Sequence, residues 1–167
     1  MDVLIVVETA FGNTRAVAQH AAEALTGAGP GVRVEVVTAA DAPARLPENT
    51  GLLLVGGPTH DFTMSKPGTR SQATDKGATE VGAEGIREWI ARVEPRTGLR
   101  TVTFDTAFEQ KLSGSAAKAA AKALRKRGFD RAERGPSFHV GGREGPLREG
   151  EEERTAQWAA QLVHERV

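Results

Sequence analysis

The stretch Val3-Leu4-Ile5-Val6-Val7-Glu8-Thr9-Ala10-Phe11-Gly12-Asn13-Thr14, followed by a helical pattern from Arg15 to about Leu25, decides how this chain is read. Five successive apolar residues, most of them β-branched, suit a strand covered on both faces, as at the centre of a parallel sheet. The loop that follows is rich in hydroxyl and amide side chains. Thr9, Asn13 and Thr14 offer short hydrogen-bonding groups, Gly12 lets backbone approach a ligand, and Asn13 or Thr14 is placed to cap the helix. A helix N-terminus so furnished attracts anions, because its first N–H groups have no partner within the helix.

Two other phosphate-binding loops are excluded by the residues present. A nucleoside-triphosphate loop needs Gly-Lys-Ser/Thr at the helix entrance, and the first lysine in this chain is Lys66. A dinucleotide fingerprint needs three spaced glycines where this loop has Gly12 alone. What remains is a phosphate held by hydroxyls and backbone N–H groups, with Arg15 the cation nearby in sequence, or a capped helix with no ligand.

The remaining segments alternate between strand and helix patterns. Val17, Ala21, Ala24 and Leu25 form one helix face, and Val32 to Val37 alternates as an edge strand does. Gly51 to Gly56 is a second uniformly apolar strand ending in Gly57-Pro58-Thr59-His60-Asp61-Phe62, after which no periodicity is evident up to Gly82. In that long segment Lys66 and Arg70 are candidates to reach an anion, or are solvated. Ala83 to Val93 is a helix with Ile86, Trp89, Ile90 and Val93 inward; Leu99 to Phe104 is a strand ending in Asp105-Thr106-Ala107-Phe108. Ser113-Gly114-Ser115 opens an alanine-rich helix from Ala116 to Arg127, whose terminal Lys122, Arg125, Lys126 and Arg127 suit either a helix C-terminus or an acidic partner. A last strand is expected near Ser137 to Val140, then a helix opened by Glu149, Glu151, Glu152 and Glu153 with Trp158 packed inward.

This order predicts a single α/β domain over residues 1–167, a three-layer, doubly wound, five-stranded parallel sheet in the order 2-1-3-4-5 with right-handed crossovers. Ligands of such sheets bind beyond the carboxyl ends of the strands where the strand order reverses. Three loops converge there: Thr9 to Thr14, Gly57 to about Thr69, and Asp105 to about Leu112.

Composition sets the outer limits. The 167 residues carry 22 basic and 22 acidic side chains, so no overall field recruits nucleic acid or an anionic membrane. Cysteine is absent, which excludes disulfides, thiol catalysis and cysteine-ligated metals, and any redox chemistry must come from a bound cofactor. The consecutive glutamates near the end point around a helix rather than converging on a metal. The opening residues form no signal sequence and no apolar run is long enough to span a bilayer, so a cytoplasmic protein is expected.

Thr9-Ala10-Phe11-Gly12-Asn13-Thr14 resembles the phosphate loop of the flavodoxin family, Thr/Ser-X-Thr/Ser-Gly-Asn-Thr, departing from it at Phe11, where a hydroxyl is usual. Phe11 to Ala18 together with Gly56 to His60 are also similar to a bacterial flavodoxin-like subgroup. The resemblance implies a flavodoxin-like fold with FMN as cofactor. It implies that Thr9, Ala10, Phe11, Gly12, Asn13 and Thr14 hold the phosphate, that Pro58, Thr59, His60 and Phe62 border one side of the isoalloxazine, and that Asp105, Thr106, Ala107 and Phe108 border the other. A carboxylate introduced at Gly12 is expected to face that phosphate. Flavodoxins commonly stack the ring on tyrosine or tryptophan; this chain has no tyrosine, so Phe11, Phe62, Phe108 or His60 must substitute. His60, facing the ring, would donate a proton or hydrogen bond near N1 or O2. Weak stacking and zero net charge imply a potential nearer that of free FMN than in an acidic shuttle flavodoxin. The functions implied are electron transfer between partner proteins or reduction of a small acceptor such as a quinone. A flavodoxin-like binding or regulatory domain that keeps only an anion pocket is the alternative.

Overall fold

The computed structural model describes residues 1–109 and 114–165. β1 (Asp2–Val7) leads into α1 (Asn13–Gly27), then β2 (Arg33–Thr38) and β3 (Thr50–His60). A two-residue strand, β4 (Thr63–Met64), and two helices, α2 (Pro67–Asp75) and α3 (Ile86–Arg92), precede β5 (Arg100–Ala107). α4 (Ala116–Arg127), β6 (Ala132–His139) and α5 (Glu151–His164) complete the chain. The long strands run β2-β1-β3-β5-β6, all neighbours parallel. With β4 set aside, this is the expected order 2-1-3-4-5, so the topology reverses between β1 and β3.

The apolar run of β1 divides by alternation between two cores, which is why every second residue need not be polar. Val3, Ile5 and Val7 face one cluster with Val17, Ala21 and Leu25 of α1 and Leu162 of α5. Leu4 and Val6 face another with Trp89 and Ile90 of α3 and Leu124 of α4. Trp89 is fully buried, as its helical spacing requires. Trp158 is partly buried and packs between Phe104 and Phe138, with ring centroids 5.6 Å from each. Gly56 is required for close approach: a Cβ there would fall 2.1 Å from the ring of the fully buried Phe104.

Two expectations are corrected. Residues 63–82 are not structureless: β4 pairs antiparallel with the end of β3, and α2 follows, begun by Pro67 at its first position. α2 shows no apolar stripe because it buries only Arg70 and Ala73, so its signal lies in its cap rather than its period. β6 begins five residues earlier than expected. The strand contains Gly135-Pro136; on an edge strand Pro needs no donor, and the pairing with β5 shifts register between Thr103 and Asp105. Of the third expected loop, residues 110–112 lie outside the described residues, as does Ser113 before α4. Among the described residues no helix is long and apolar enough to cross a membrane.

Candidate functional site

The carboxyl ends of β1, β3 and β5 bring three loops around one cleft of about 290 Å³. Thr9, Ala10, Phe11, Asn13 and Thr14 line it from the first loop, Pro58, Thr59 and His60 from the second, and Thr106, Ala107 and Phe108 from the third. Of the expected site residues, Gly12, Phe62 and Asp105 do not line it. A larger shallow depression, about 840 Å³, lies at the opposite ends of the strands around Arg100 and Arg131. That end lacks the helix N-termini that make a parallel sheet bind ligands, so the smaller cleft is the candidate site.

Within the first loop the capping differs from expectation. Gly12 is the N-cap of α1, in the left-handed region at φ 92°, and no side chain caps the helix. Thr9 Oγ1 accepts the Gly12 N–H at 3.0 Å, folding the loop on itself. The side chains expected to cap are used to hold neighbours. Thr14 Oγ1 lies 2.8 Å from Thr106 Oγ1, joining the first loop to the third, and Asn13 Nδ2 donates to the Glu144 carbonyl at 3.3 Å. Asn13, Thr14 and Arg15 begin the helix, so their N–H groups have no intrahelical acceptor.

Phe11 has a structural reason to replace a hydroxyl. It packs with Val81 against a small cluster of Ala10, Ala73 and Ala78, which seats α2 and the segment after it on the first loop. Glu80 N–H donates to the Ala10 carbonyl at 3.2 Å, and the Glu80 carboxylate pairs with Arg15 at 2.7 Å. Arg15 is therefore a neutralised cation. A Cβ on Gly12 would come within 2.5 Å of Glu80 Oε2, so a carboxylate introduced at Gly12 would meet Glu80, with backbone strain added.

The second and third loops are fixed to α4. Thr59 Oγ1 accepts the Ala116 N–H at 3.0 Å, and Asp105 Oδ2 accepts from Ser115 Oγ at 2.6 Å and Ala117 N–H at 2.9 Å. Asp105, fully buried, thus serves the N-terminus of α4. His60 Nδ1 lies 3.2 Å from Thr69 Oγ1, whose single proton goes to the Lys66 carbonyl at 3.1 Å. The ring accordingly donates from Nδ1 and leaves Nε2 as an acceptor, while burial holds its pKa below the usual histidine value. Phe62 occupies the β3–β4 turn at φ 70°, next to Asp61 at φ 46°, and is 64 % exposed.

Sequence reasoning missed two groups. Lys76 and Arg143 line the cleft, one from the end of α2 and one from the loop after β6. The Gly-rich context of Arg143 was the available signal. The other group is buried beside the cleft. Glu8 accepts Ile86 N–H at 2.8 Å and the Ser65 hydroxyl; Ser65 Oγ accepts from Arg70 Nη1 at 2.8 Å, and Arg70 Nη2 pairs with Glu88. Arg70, 5 % exposed, is a tie between α2, α3 and β1, and does not line the cleft; Lys66 is exposed and does not line it either. Burial raises the Glu8 pKa against the lowering effects of Ser65, Ile86 N–H and Arg70. A charged residue closing an otherwise apolar central strand was the visible sign.

Solved structures share this architecture from end to end. Flavodoxin 2 of Bacillus cereus superposes with a TM-score of 0.69 at 16% identity, covering 99% of both chains. The fold is that of the flavodoxins. Flavodoxin 1 of the same organism gives a TM-score of 0.68 at 17% identity over 98% of each chain. A flavodoxin from the domain Archaea gives 0.66 at 16% identity, covering 99% of this chain and 98% of its own. No protein-family model and no curated protein sequence matches the chain. With the flavodoxin fold, the β1–β3 switch point and its three loops occupy the place where the topology alone would put a ligand.

Proposed function

We propose that the chain binds FMN in the cleft above β1, β3 and β5 and acts as an electron-transfer protein or as a reductase of a small acceptor. The observation that carries this reading is the convergence of the three loops, with Thr9 and with Asn13 and Thr14 at the start of α1 among the residues that line the cleft. The donor set fits a phosphate monoester: helix N-terminal N–H groups, the Asn13 amide and short hydroxyls. Bound FMN would supply transfer of one or two electrons. The residues then have separable tasks. The loop from Thr9 to Thr14 anchors the phosphate, Phe108 offers an apolar surface to the ring, and His60 Nε2 accepts a hydrogen bond.

A second reading is favoured by Phe11. Because it packs against the cluster that seats α2, the loop would also persist in a binding domain without flavin. One titration separates the two: purified protein is inspected for flavin absorbance, then the apo form is titrated with FMN by fluorescence quenching. Binding at micromolar FMN supports the flavoprotein; none at that concentration rejects it.

A further inference from the structure

Two cations line the cleft from two separate segments that each contact the first loop. Ala73 of α2 and Ala78 just after it pack with Ala10, and Lys76 lies between those two alanines in sequence and lines the cleft. In the loop after β6, the Glu144 carbonyl accepts from Asn13, and the backbone at Gly145 is so close that a Cβ there would fall 2.4 Å from Asn13 Oδ1. Arg143, from this same loop, lines the cleft. Arg15 is paired with Glu80, whereas neither Lys76 nor Arg143 has an ion-pair partner among the described residues. Among the described residues Asp61 on the β3–β4 turn is the one carboxylate lining the cleft, so that lining carries a net positive charge in a chain whose total is zero.

We propose that Lys76 and Arg143 clamp the phosphate of the flavin from its two sides, so that the site selects a phosphorylated flavin over riboflavin by charge. This rests on the flavin reading and adds to it a requirement the loop itself does not impose. Hydroxyls and amides fit a phosphate but also tolerate the neutral hydroxyl of riboflavin; two unpaired cations do not contribute equally to both. Each is exposed, so its attraction is modest and is screened by salt. A phosphate monoester carries nearly two negative charges near neutral pH, which doubles the contrast with riboflavin.

The test is a fluorescence titration of the full chain and of Lys76→Gln, Arg143→Gln and the double variant, each with FMN and with riboflavin at low and high salt. Each substitution is expected to weaken FMN binding about fivefold and the pair about 25-fold, leaving riboflavin unchanged. Raising salt should weaken FMN in the wild type and have little effect in the double variant. Equal losses for both flavins, or an FMN affinity untouched in the double variant, overturn the clamp. A wild type that binds neither flavin rejects the flavin reading instead. The clamp is then read with inorganic phosphate, following backbone amide shifts of residues 9–15. A phosphate response lost in the double variant upholds it, and a response equal in both, or absent from both, overturns it. Unchanged unfolding midpoints confirm that the exposed substitutions leave the fold intact.

Discussion

Replacing Arg70 by methionine keeps most of the side-chain stem and removes the guanidinium that Glu8, Ser65 and Glu88 share. Arg70 is 5 % exposed and Glu8 6 %, so two carboxyl groups would be left beside α2 and α3 without their cation. Breaking a buried pair by removing one partner costs about 3–5 kcal/mol, and the total stability of a domain is about 5–15 kcal/mol. The expected loss at pH 8 is therefore about 3–5 kcal/mol, or a fall in Tm of roughly 10 °C at this chain length. The loss depends on pH with a definite sign. Burial already raises the Glu8 pKa, and Arg70 is one of the influences opposing that rise. Without Arg70 the folded value climbs further above the unfolded one. The folded state then binds the extra proton, so stability is retained near and below the ordinary carboxylate range and lost as pH rises through the raised value. Urea unfolding of wild type and Arg70→Met at pH 5 and pH 8 measures this, with the larger difference expected at pH 8. Equal losses at the two pH values, or a loss below about 1 kcal/mol at pH 8, would refute the assignment of Arg70 as a buried tie.

Three further outcomes are expected. Gly56→Ala should destabilise by about 1–3 kcal/mol or more in urea unfolding, because its methyl would lie 2.1 Å from the Phe104 ring; adding Phe104→Leu should recover part of the loss. Phe62→Gly should raise stability by about 1 kcal/mol, since a left-handed non-glycine residue is relieved, with wild-type stability in that assay removing the case for strain at the turn. The flavin potential, titrated against reference dyes, should lie near that of free FMN; a potential far below it would contradict a cleft whose lining is net positive and has no tyrosine or tryptophan.

The central architecture was legible because burial on both faces leaves a plain mark. Val3 to Val7 and Leu52 to Val55 are apolar without alternation, and only a two-sided core explains that. The three loops followed from where those strands end. Other features left weaker marks. α2 makes its contacts through Ala73 and a buried arginine, so hydrophobic periodicity is blind to it, and Arg70 looked like a free cation because Glu88, its ion-pair partner, and Glu8, which it reaches through Ser65, are distant in sequence. Lys76 became part of the site only once α2 existed. Asn13 and Thr14 were identifiable as polar groups of the loop, yet their hydrogen bonds to Glu144 and Thr106 depend on tertiary neighbours more than ninety residues away.

Those long-range contacts alter what the first loop is for. A loop that only wraps a phosphate is organised by its ligand, and the ordering cost then reduces affinity. Here Phe11 is held by the α2 cluster, Asn13 by the loop after β6 and Thr14 by Thr106, so three separate segments of the protein itself fix the loop. With FMN bound as proposed, the exchange of a hydroxyl for Phe11 would remove one phosphate hydrogen bond, worth about 0.5–1.5 kcal/mol net, or somewhat more to a charged acceptor. In return it secures α2, and α2 brings Lys76 to the cleft. On the flavin reading proposed above, the departure from the flavodoxin pattern would exchange one kind of anion recognition for another: less short-range hydrogen bonding at position 11, and charge from two segments outside the loop.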